Sequence, residues 1–329
     1  MHALDLQSIK FHGGINEIPL PPLLFGLILS DNKFEGPLPI PPPALQYYIV
    51  SDNKFGGDIP HQICNAFGLK IIDLSNNSLT GSIPHCFTNF YASLLVLNLR
   101  GNNFFGQIPE MSVQNTTLTT ISLSQNRLGG TLPQSLAYCE NLEVLDLSKN
   151  ELESRFPFWL ETLANLPVLV LRSNKFYGPV DSSSKTTSSR EIPEAIGQLE
   201  ALKGLNFSHN NLTGIIPSSI ENLANVEWLD LSSNLLTVEI PITLAHLSFL
   251  SYLNLSMNQL VGPIPWSTQM DTFKSDSFDG NRSLSGHPLP KACGTDSQQS
   301  RPLTSPEGSC EANEIDHLTG RTPSDACKQ

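Results

Sequence analysis

Charged side chains are scarce in this 329-residue sequence, and no long apolar run is present. Only 15% of the residues are charged, and the formal net charge is −12. An acidic chain with scattered Lys and Arg residues lacks the basic surface that binds phosphate backbones, so we expect no nucleic-acid partner. No run of about 18 apolar residues and no signal-peptide pattern occur, so the sequence predicts neither a membrane span nor a signal peptide.

Motifs for catalysis and metal binding are also missing. The sequence has no G-x-S-x-G turn, no G-x-x-x-x-G-K-[ST] phosphate loop and no H-E-x-x-H zinc motif. Its six cysteines form no CxxC pair. The segment SDSFDGNRS resembles a calcium loop but lacks ligands at its third and twelfth positions. We therefore predict a protein that is not an enzyme and that holds no metal and no cofactor.

A repeat with the pattern LxxLxLxxNxLxGxIP fills most of the chain. Clear copies begin at Leu69, Leu118 and Leu250. Self-similarity with a period of about 24 residues is typical of solenoids, in which each unit hides its apolar side against its neighbours. The asparagine of the pattern recurs at Asn32, Asn53, Asn77, Asn102, Asn126, Asn150, Asn174, Asn210, Asn234 and Asn258.

Each position that recurs between the repeats has a physical reason. The apolar residues of LxL are two apart, so in a strand both point inward. The asparagine amide both donates and accepts, so we expect stacked asparagines to form a ladder with the loop backbone. Glycine allows positive φ where the return leg begins, and proline keeps that leg extended. The pattern predicts an α/β solenoid with a concave parallel sheet of about ten strands and an irregular or 3₁₀ convex side.

The LxGxIP extension resembles the plant-specific class of leucine-rich repeats. The segments IPHQICNAFGLKIIDLSNNSLTGSIPHCF and IPEAIGQLEALKGLNFSHNNLTGIIPSSIENLANVEWLDLSSN resemble the ectodomain of plant receptor-like proteins. The segment GPIPWSTQMDTFKSDSFDGNRSLSGHPLPKAC is similar to that family's C-terminal cap. The resemblance covers roughly residues 1–293. It implies a leucine-rich-repeat horseshoe and a receptor without a kinase domain, on the extracellular side of the plasma membrane, in defence or development.

The repeat and the resemblance together predict five segments. Family members carry a signal peptide, a cysteine-bearing N-terminal cap and a membrane helix after the C-terminal cap, and this sequence encodes none of them. We therefore interpret the chain as a truncated C-terminal part of such an ectodomain. The segments are repeats in 1–180, a Ser/Thr-rich loop in 181–190 (a reduced island or a deletion), C-terminal repeats in 191–265, a cap in 266–293 and a disordered tail in 294–329.

The outward strand positions form the candidate ligand-binding face. Arg100, Arg172 and Trp228 rank first, because they combine reach with contact area. The alternative is that every solenoid must expose some side chains here without using them. The other candidates are Tyr252, Asp146, Lys149 and His209.

Sequons and cysteines suggest covalent modifications. Cys64 and Cys86 lie in consecutive repeats, where either a disulfide or two free thiols is consistent with the spacing. Cys139 is expected to fill the core. If the chain is secreted, glycosylation is predicted at the N-x-S/T asparagines Asn76, Asn115, Asn206, Asn211, Asn254 and Asn281.

The resemblance implies a function by binding. The chain would recognise a peptide, protein or glycan and dock a co-receptor kinase, with the last three repeats, 202–265, as the co-receptor surface. One alternative is a secreted protein similar to polygalacturonase inhibitors, which use the same repeat. The others are a receptor-kinase ectodomain fragment and a non-functional truncated product.

Overall fold

The computed structural model describes part of the chain, and all of that part belongs to one compact unit, Met1–Ala292. The predicted Ser/Thr-rich loop, the end of the predicted cap and the predicted tail lie outside the described residues. The described ranges are 3–89, 93–110, 116–155, 157–177 and 192–289.

Within the described ranges, eleven short parallel strands form the main sheet, and they neighbour one another in chain order. Pairing is without offset, so that Ile121 lies opposite Leu97 on one side and Leu145 on the other. The sequence predicted about ten strands; the additional strand is the first one, in a coil where Ile9 takes the place of the repeat asparagine. The strands are Ala3–Asp5, Gly26–Ile28, Tyr47–Ile49, Ile71–Asp73, Val96–Asn98, Thr120–Ser122, Val144–Asp146, Val168–Val170, Gly204–Asn206, Trp228–Asp230 and Tyr252–Asn254.

The middle residue of each main strand points into a leucine-rich core. Leu27, Ile72, Leu145 and Leu229 are all fully buried. The buried apolar side chains form one continuous cluster along the unit. Burying one such side chain contributes roughly 1.5–3 kcal/mol, so the stack of coils is held mainly by contacts between neighbouring layers.

A second row of short parallel strands follows the repeat asparagines. The sequence predicted only an extended return leg and missed the pairing of these legs between neighbouring coils. We call these the flank strands. Glycines with positive φ, such as Gly81 at 84° and Gly130 at 75°, turn the chain at this row. Their bounds are His12–Gly13, Lys33–Gly36, Lys54–Asp58, Ser78–Thr80, Phe105–Gly106, Arg127–Gly130, Glu151–Leu152, Thr213–Gly214, Leu235–Glu239, Gln259–Pro263 and Ser283–Ser285.

The return legs contain 3₁₀ helices, as the sequence predicted. In most coils the helix begins directly after the proline of the repeat, as at Pro217, whose φ of −67° fits the extended entry. No helix within the described residues is long and apolar enough to cross a membrane. The 3₁₀ helices are His61–Asn65, His85–Asn89, Gln134–Tyr138, Phe158–Thr162, Glu194–Gln198, Ser218–Asn222, Ile242–His246, Met270–Thr272 and Ser275–Ser277.

The repeat asparagines form the expected ladder. The Asn126 Nδ2 donates to the carbonyls of Leu99 at 3.0 Å and Leu123 at 3.1 Å. Its Oδ1 accepts from the Phe104 N–H at 3.0 Å. The same contacts recur at the other asparagines of the column, so each amide joins neighbouring coils and satisfies backbone groups that would otherwise be buried without partners.

The three cysteines within the described residues contribute one crosslink and one buried thiol. Cys64 and Cys86 form a disulfide between consecutive coils, with their Cα atoms 5.5 Å apart. Cys139 is a buried free cysteine. Burial raises the pKa of the Cys139 thiol, so the reactive thiolate is disfavoured there.

Candidate ligand-binding face

Four positions in each coil point away from the core on the main-sheet side. They are the first and third residues of the main strand and the second and first residues before the ladder asparagine. We call this surface the sheet face. In the coil that contains Asn77, these positions are Ile71, Asp73, Ser75 and Asn76.

The residue directly before each ladder asparagine adopts a left-handed backbone. Its φ is 54° at Lys149 and 53° at His209, and both side chains are exposed. A residue with this φ turns the chain sharply out of the strand. Lys149 and His209 therefore lie along one edge of the sheet face, at equivalent positions in different coils.

Arg100 and Arg172 occupy a column in which most coils have serine. Backbone hydrogen bonds connect this column from coil to coil: Gly101 N to Ser124 O at 2.9 Å, and Lys149 N to Arg172 O at 2.8 Å. Arg100 and Arg172 are therefore three coils apart, and Lys149 borders Arg172. The serines of the column are Ser30, Ser51, Ser75, Ser124, Ser148, Ser208, Ser232 and Ser256.

The two arginines have different surroundings. The Arg100 side chain is exposed, and the Gln125 amide oxygen accepts from its guanidinium at 3.0 and 3.2 Å in the orientation that satisfies both groups. The Arg172 Nε is buried and has no hydrogen-bond partner within the described residues. An unpaired buried donor costs free energy, and this nitrogen is closed to solvent in the structure.

Trp228 and Tyr252 lie side by side on the last two strands, where they are paired in register. Trp228 is half-buried, whereas Tyr252 is 49% exposed. Both are at the first strand position, so their rings belong to the sheet face. Aromatic side chains at such positions are favoured anchors for a protein or peptide partner.

The aspartates of the third strand position have structural partners. The Asp146 Oδ1 accepts from the Ser148 N–H at 3.0 Å. Asp230 is buried and accepts from both the N–H and the Oγ of Ser232. Asp146, one of the candidate ligand-binding residues, therefore shares its carboxylate between the local turn and the surface.

The seven candidate residues all lie on the sheet face, in one run of neighbouring coils, and we describe them as two groups. The groups meet where Ser173 N donates to Ser208 O at 2.9 Å. The central group is Arg100, Asp146, Lys149 and Arg172, and the C-terminal group is His209, Trp228 and Tyr252.

The predicted glycosylation sites lie in different environments. Asn76 is exposed on the sheet face, where its Nδ2 donates to Asp52 Oδ1 at 2.8 Å. Asn211 is exposed beside the flank strands. Asn206 and Asn254 are half-buried at the third strand position. Asn115 lies outside the described residues.

The predicted glycan at Asn281 is incompatible with the structure. Asn281 is 5% exposed and extends the asparagine ladder into the cap. Its Nδ2 donates to the carbonyls of Leu255 at 3.0 Å and Phe278 at 2.9 Å, so the nitrogen that would carry a sugar is buried and engaged. The sequence reasoning missed this ladder position because Asp276 and Ser283 stand where the repeat pattern has leucine.

Two further residues of the sheet face were missed from the sequence. Gly204 is buried beneath the Trp228 ring, and glycine inside a strand often marks such a close approach. Ser124 is buried in the arginine column, and its Oγ has no partner in the part of the chain that the structure describes. Only the glycine had a signal in the sequence. No group of metal-ligating side chains occurs among the described residues.

Two leucine-rich-repeat family models match the chain. One matches residues 116–176 and 200–260, and the other matches 68–90 and 93–112. Together they cover about half of the sequence. The chain therefore belongs to the leucine-rich-repeat family, in agreement with the parallel stack of coils.

Sequence relatives indicate which kind of leucine-rich-repeat protein the chain resembles. Receptor-like protein 6 of Arabidopsis thaliana is 36% identical over 112 residues, which are 34% of this chain and 11% of that protein. Receptor-like protein 54 of the same plant is 32% identical over 108 residues, 33% of this chain and 14% of that protein. These matches support a plant leucine-rich-repeat receptor-like protein ectodomain, as the resemblance predicted. The matched segments span only a small part of either relative.

Solved ectodomains share the fold. A TDR receptor structure has a TM-score of 0.73 and 30% identity, and the match covers 80% of this chain and 44% of that one. The peptide hormone receptor RGFR1 in complex with RGF2 has a TM-score of 0.69 and 28% identity, with 84% and 46% coverage. The Arabidopsis receptor kinase HAESA, in complex with the peptide hormone IDA and the co-receptor SERK1, has a TM-score of 0.63 and 26% identity, with 86% and 53% coverage.

Proposed function

We propose that this chain is the ligand-recognition part of a plant cell-surface receptor-like protein, and that its sheet face binds an extracellular peptide. The observation that carries the proposal is the arrangement of two groups of anchoring side chains on one continuous parallel sheet. Arginine and aromatic residues dominate those groups, and such residues supply most of the binding energy at protein interfaces.

The similar ectodomains support a peptide rather than a small molecule. The RGFR1 and HAESA structures are complexes with peptide hormones, and HAESA is also bound to a co-receptor. By analogy, we propose that peptide binding on this chain creates or completes a surface for a co-receptor kinase. The last three repeats, 202–265, are the proposed docking region, because the resemblance to receptor-like proteins gives this role to the repeats next to the C-terminal cap.

The mechanism is binding without chemistry on the ligand. The ligand would lie across several strands and fix their outward side chains, while the asparagine ladder and the leucine core keep those strands in place. The kinase of the docked co-receptor would then carry the signal. Preorganised anchors improve affinity because less side-chain entropy is lost on association.

A glycan placed on the sheet face tests the proposal. The variant Ser122→Asn creates the sequon Asn-Leu-Ser on a central strand, whereas Leu235→Asn creates Asn-Leu-Thr on a flank strand. Both proteins would be secreted from plant cells with an added signal sequence and checked for glycan occupancy. Peptide fractions of plant extracellular fluid would then be applied to the immobilised chains.

We expect saturable peptide binding to the parent chain and to the flank variant, and its loss in the Ser122→Asn variant. Equal binding by all three chains would show that the ligand binds outside the sheet face. Absence of saturable binding to the parent chain from any fraction would contradict the proposed function.

A further inference from the structure

The central part of the sheet face differs from the rest in two ways: it is positively charged, and it has no sequon asparagine. Asparagines of N-x-S/T sequons are at sheet-face positions on both sides of it, at Asn76 and Asn206. Between them, the strands from Val96–Asn98 to Val168–Val170 have no sequon asparagine at a sheet-face position. We call the sheet face of these four coils the central window.

The central window is cationic, although the whole chain has a net charge of −12. It contains Arg100, Lys149 and Arg172, against the single carboxylate of Asp146. None of the three cations forms an ion pair within the described residues, where the observed pairs involve Lys175, His246 and His287. The cations are therefore available to an external anion.

The spacing of the cations is fixed by the stacking of the coils. Arg100 and Arg172 are separated by the coils of Ser124 and Ser148, which the backbone bonds of this column connect. At about 4.8 Å per strand, three steps give roughly 14 Å between the two positions. An extended peptide covers about 3.3 Å per residue, so this distance corresponds to about four residues.

Buried polar atoms in the same column lack partners. The Arg172 Nε and the Ser124 Oγ are both inaccessible to solvent and unpaired among the described residues. Leaving such groups unpaired costs free energy, and a ligand acceptor reaches them only after a local side-chain movement. The exposed cations and their spacing, rather than these buried atoms, therefore carry the inference.

We propose that the central window binds an acidic, extended peptide segment with two carboxylates about four residues apart, one on Arg100 and the other on Arg172 with Lys149. This inference rests on the proposed function and specifies its ligand. A carboxylate and a guanidinium form paired, charge-assisted hydrogen bonds. An acidic polysaccharide with a carboxylate on every ring fits less well, because serines rather than cations stand between the two arginines.

Synthetic peptides test the spacing directly. The probe is a fluorescent ten-residue Gly/Ser peptide with Glu at its fourth and eighth positions. One control has Gln at both positions, and another has its two Glu residues adjacent. Binding to the secreted full chain would be followed by fluorescence anisotropy, with oligogalacturonide as a separate competitor.

Matched variants separate specific recognition from general attraction. Arg100→Gln with Arg172→Gln removes two cations from the central window. Arg127→Gln with Lys54→Gln removes two exposed cations from flank strands and changes the net charge equally. All chains would first be compared by thermal unfolding.

We expect the spaced probe to bind the parent and the flank variant with equal affinity. It should bind the central-window variant at least about tenfold more weakly, because charge-assisted hydrogen bonds are lost. The Gln and adjacent-Glu peptides should bind at least about tenfold more weakly to the parent chain. Equal weakening in both variants, no preference for the spaced probe, or binding of oligogalacturonide alone would overturn the inference.

Failure of this inference is distinguishable from failure of the proposed function. If the glycan at position 122 blocks a natural peptide while the Arg100→Gln, Arg172→Gln chain still binds that peptide fully, the sheet face binds ligands but not through these cations. The proposed function would then stand and the acidic ligand would be wrong.

Discussion

The indole ring of Trp228 lies directly over the backbone of Gly204, its partner in the neighbouring strand. A Cβ atom at Gly204 would overlap the Cε2, Cζ2 and Nε1 atoms of that ring. Most other coils have a side chain at this position, such as Val144 and Val168. At Gly204 the Trp228 ring of the next strand fills the space that a side chain would occupy. The ring is therefore held against the sheet face before any ligand binds.

The variant Gly204→Ala should displace the indole ring and destabilise the chain. Forcing a methyl group into filled space typically costs about 1–3 kcal/mol. The expected result is a lower midpoint of thermal unfolding, together with altered tryptophan fluorescence. Trp159 is 6% exposed and Trp266 is 75% exposed, so a Trp159→Phe, Trp266→Phe background isolates the emission of Trp228.

A double mutant provides the control for this pair. In Trp228→Ala chains the overlapping ring is absent, so the added Gly204→Ala change should cost little. The coupling between the two substitutions should then be at least about 0.5 kcal/mol, as for residues in direct contact. Additive effects would contradict the packing of Trp228 on Gly204.

Val238 occupies a position that most other coils give to glycine. Its φ is 67°, against 78° for Gly214 and Gly262 in the adjoining coils. A left-handed backbone costs an L-residue roughly 1–2 kcal/mol, and a β-branched side chain is especially unfavourable there. The variant Val238→Gly should therefore raise the free energy of unfolding by about 1 kcal/mol, as measured in urea. Gly214→Val is the reverse control and should lower it; an unchanged or lowered stability of Val238→Gly would be inconsistent with the strain.

Asn150 should be among the most sensitive polar residues of the chain. Its Nδ2 donates to Leu123 O at 3.0 Å and Leu147 O at 3.1 Å, and its Oδ1 accepts from Leu128 N at 3.0 Å. The variant Asn150→Ala leaves the buried Leu128 N–H without its acceptor, and it removes one of the two amide donors at each carbonyl, because Asn126 also donates to Leu123 O and Asn174 to Leu147 O. It should cost about 1–3 kcal/mol in chemical unfolding. Asn65→Ala, at an exposed position, should cost less than about 0.5 kcal/mol. Similar small effects at both positions would show that the ladder contributes little.

Repeated features of the fold were predictable from the sequence, whereas features that occur once were not. The main strands, the ladder and the 3₁₀ returns were predictable, because each column repeats and stacking demands the same geometry in every coil. Pairing of the flank strands was missed, because an extended leg looks the same in sequence whether or not its neighbour bonds to it. The Trp228 platform and the unpaired Arg172 Nε depend on contacts between particular coils, and the ladder role of Asn281 is hidden by a cap that departs from the repeat.

Tyr48 should make stability depend on alkaline pH. Its side chain is fully buried, and its hydroxyl donates to Pro39 O at 2.7 Å. Burial raises the pKa of the Tyr48 phenol well above its usual value, because the charged phenolate loses its hydration in the core. The folded state therefore keeps its proton while the unfolded state ionises near pH 10, so stability is intact below about pH 10 and falls above it.

The variant Tyr48→Phe removes both the hydrogen bond and this pH dependence. Near pH 8 it should be less stable than the parent by about 1 kcal/mol, the usual net value of one hydrogen bond. Between pH 10 and pH 11 the difference should shrink by about 1 kcal/mol, because only the parent loses a proton from this site on unfolding. Tyr138→Phe, at an exposed position, should leave the difference constant with pH. A gap that stays constant for Tyr48→Phe would rule out the raised pKa.

The sequons should be occupied according to their exposure in the folded chain. Asn76 and Asn211 are exposed, so glycans there face solvent, whereas Asn281 is 5% exposed and its amide nitrogen serves the ladder. In a chain secreted from plant cells, enzymatic deglycosylation in heavy-oxygen water followed by peptide mass mapping should label Asn76 and Asn211 but not Asn281. The engineered sequon of Leu235→Asn is the positive control, since it copies the Asn211 environment one coil further on. A folded, secreted chain that carries a glycan at Asn281 would require a different cap from the one described, because that nitrogen cannot hold a sugar and donate to both carbonyls.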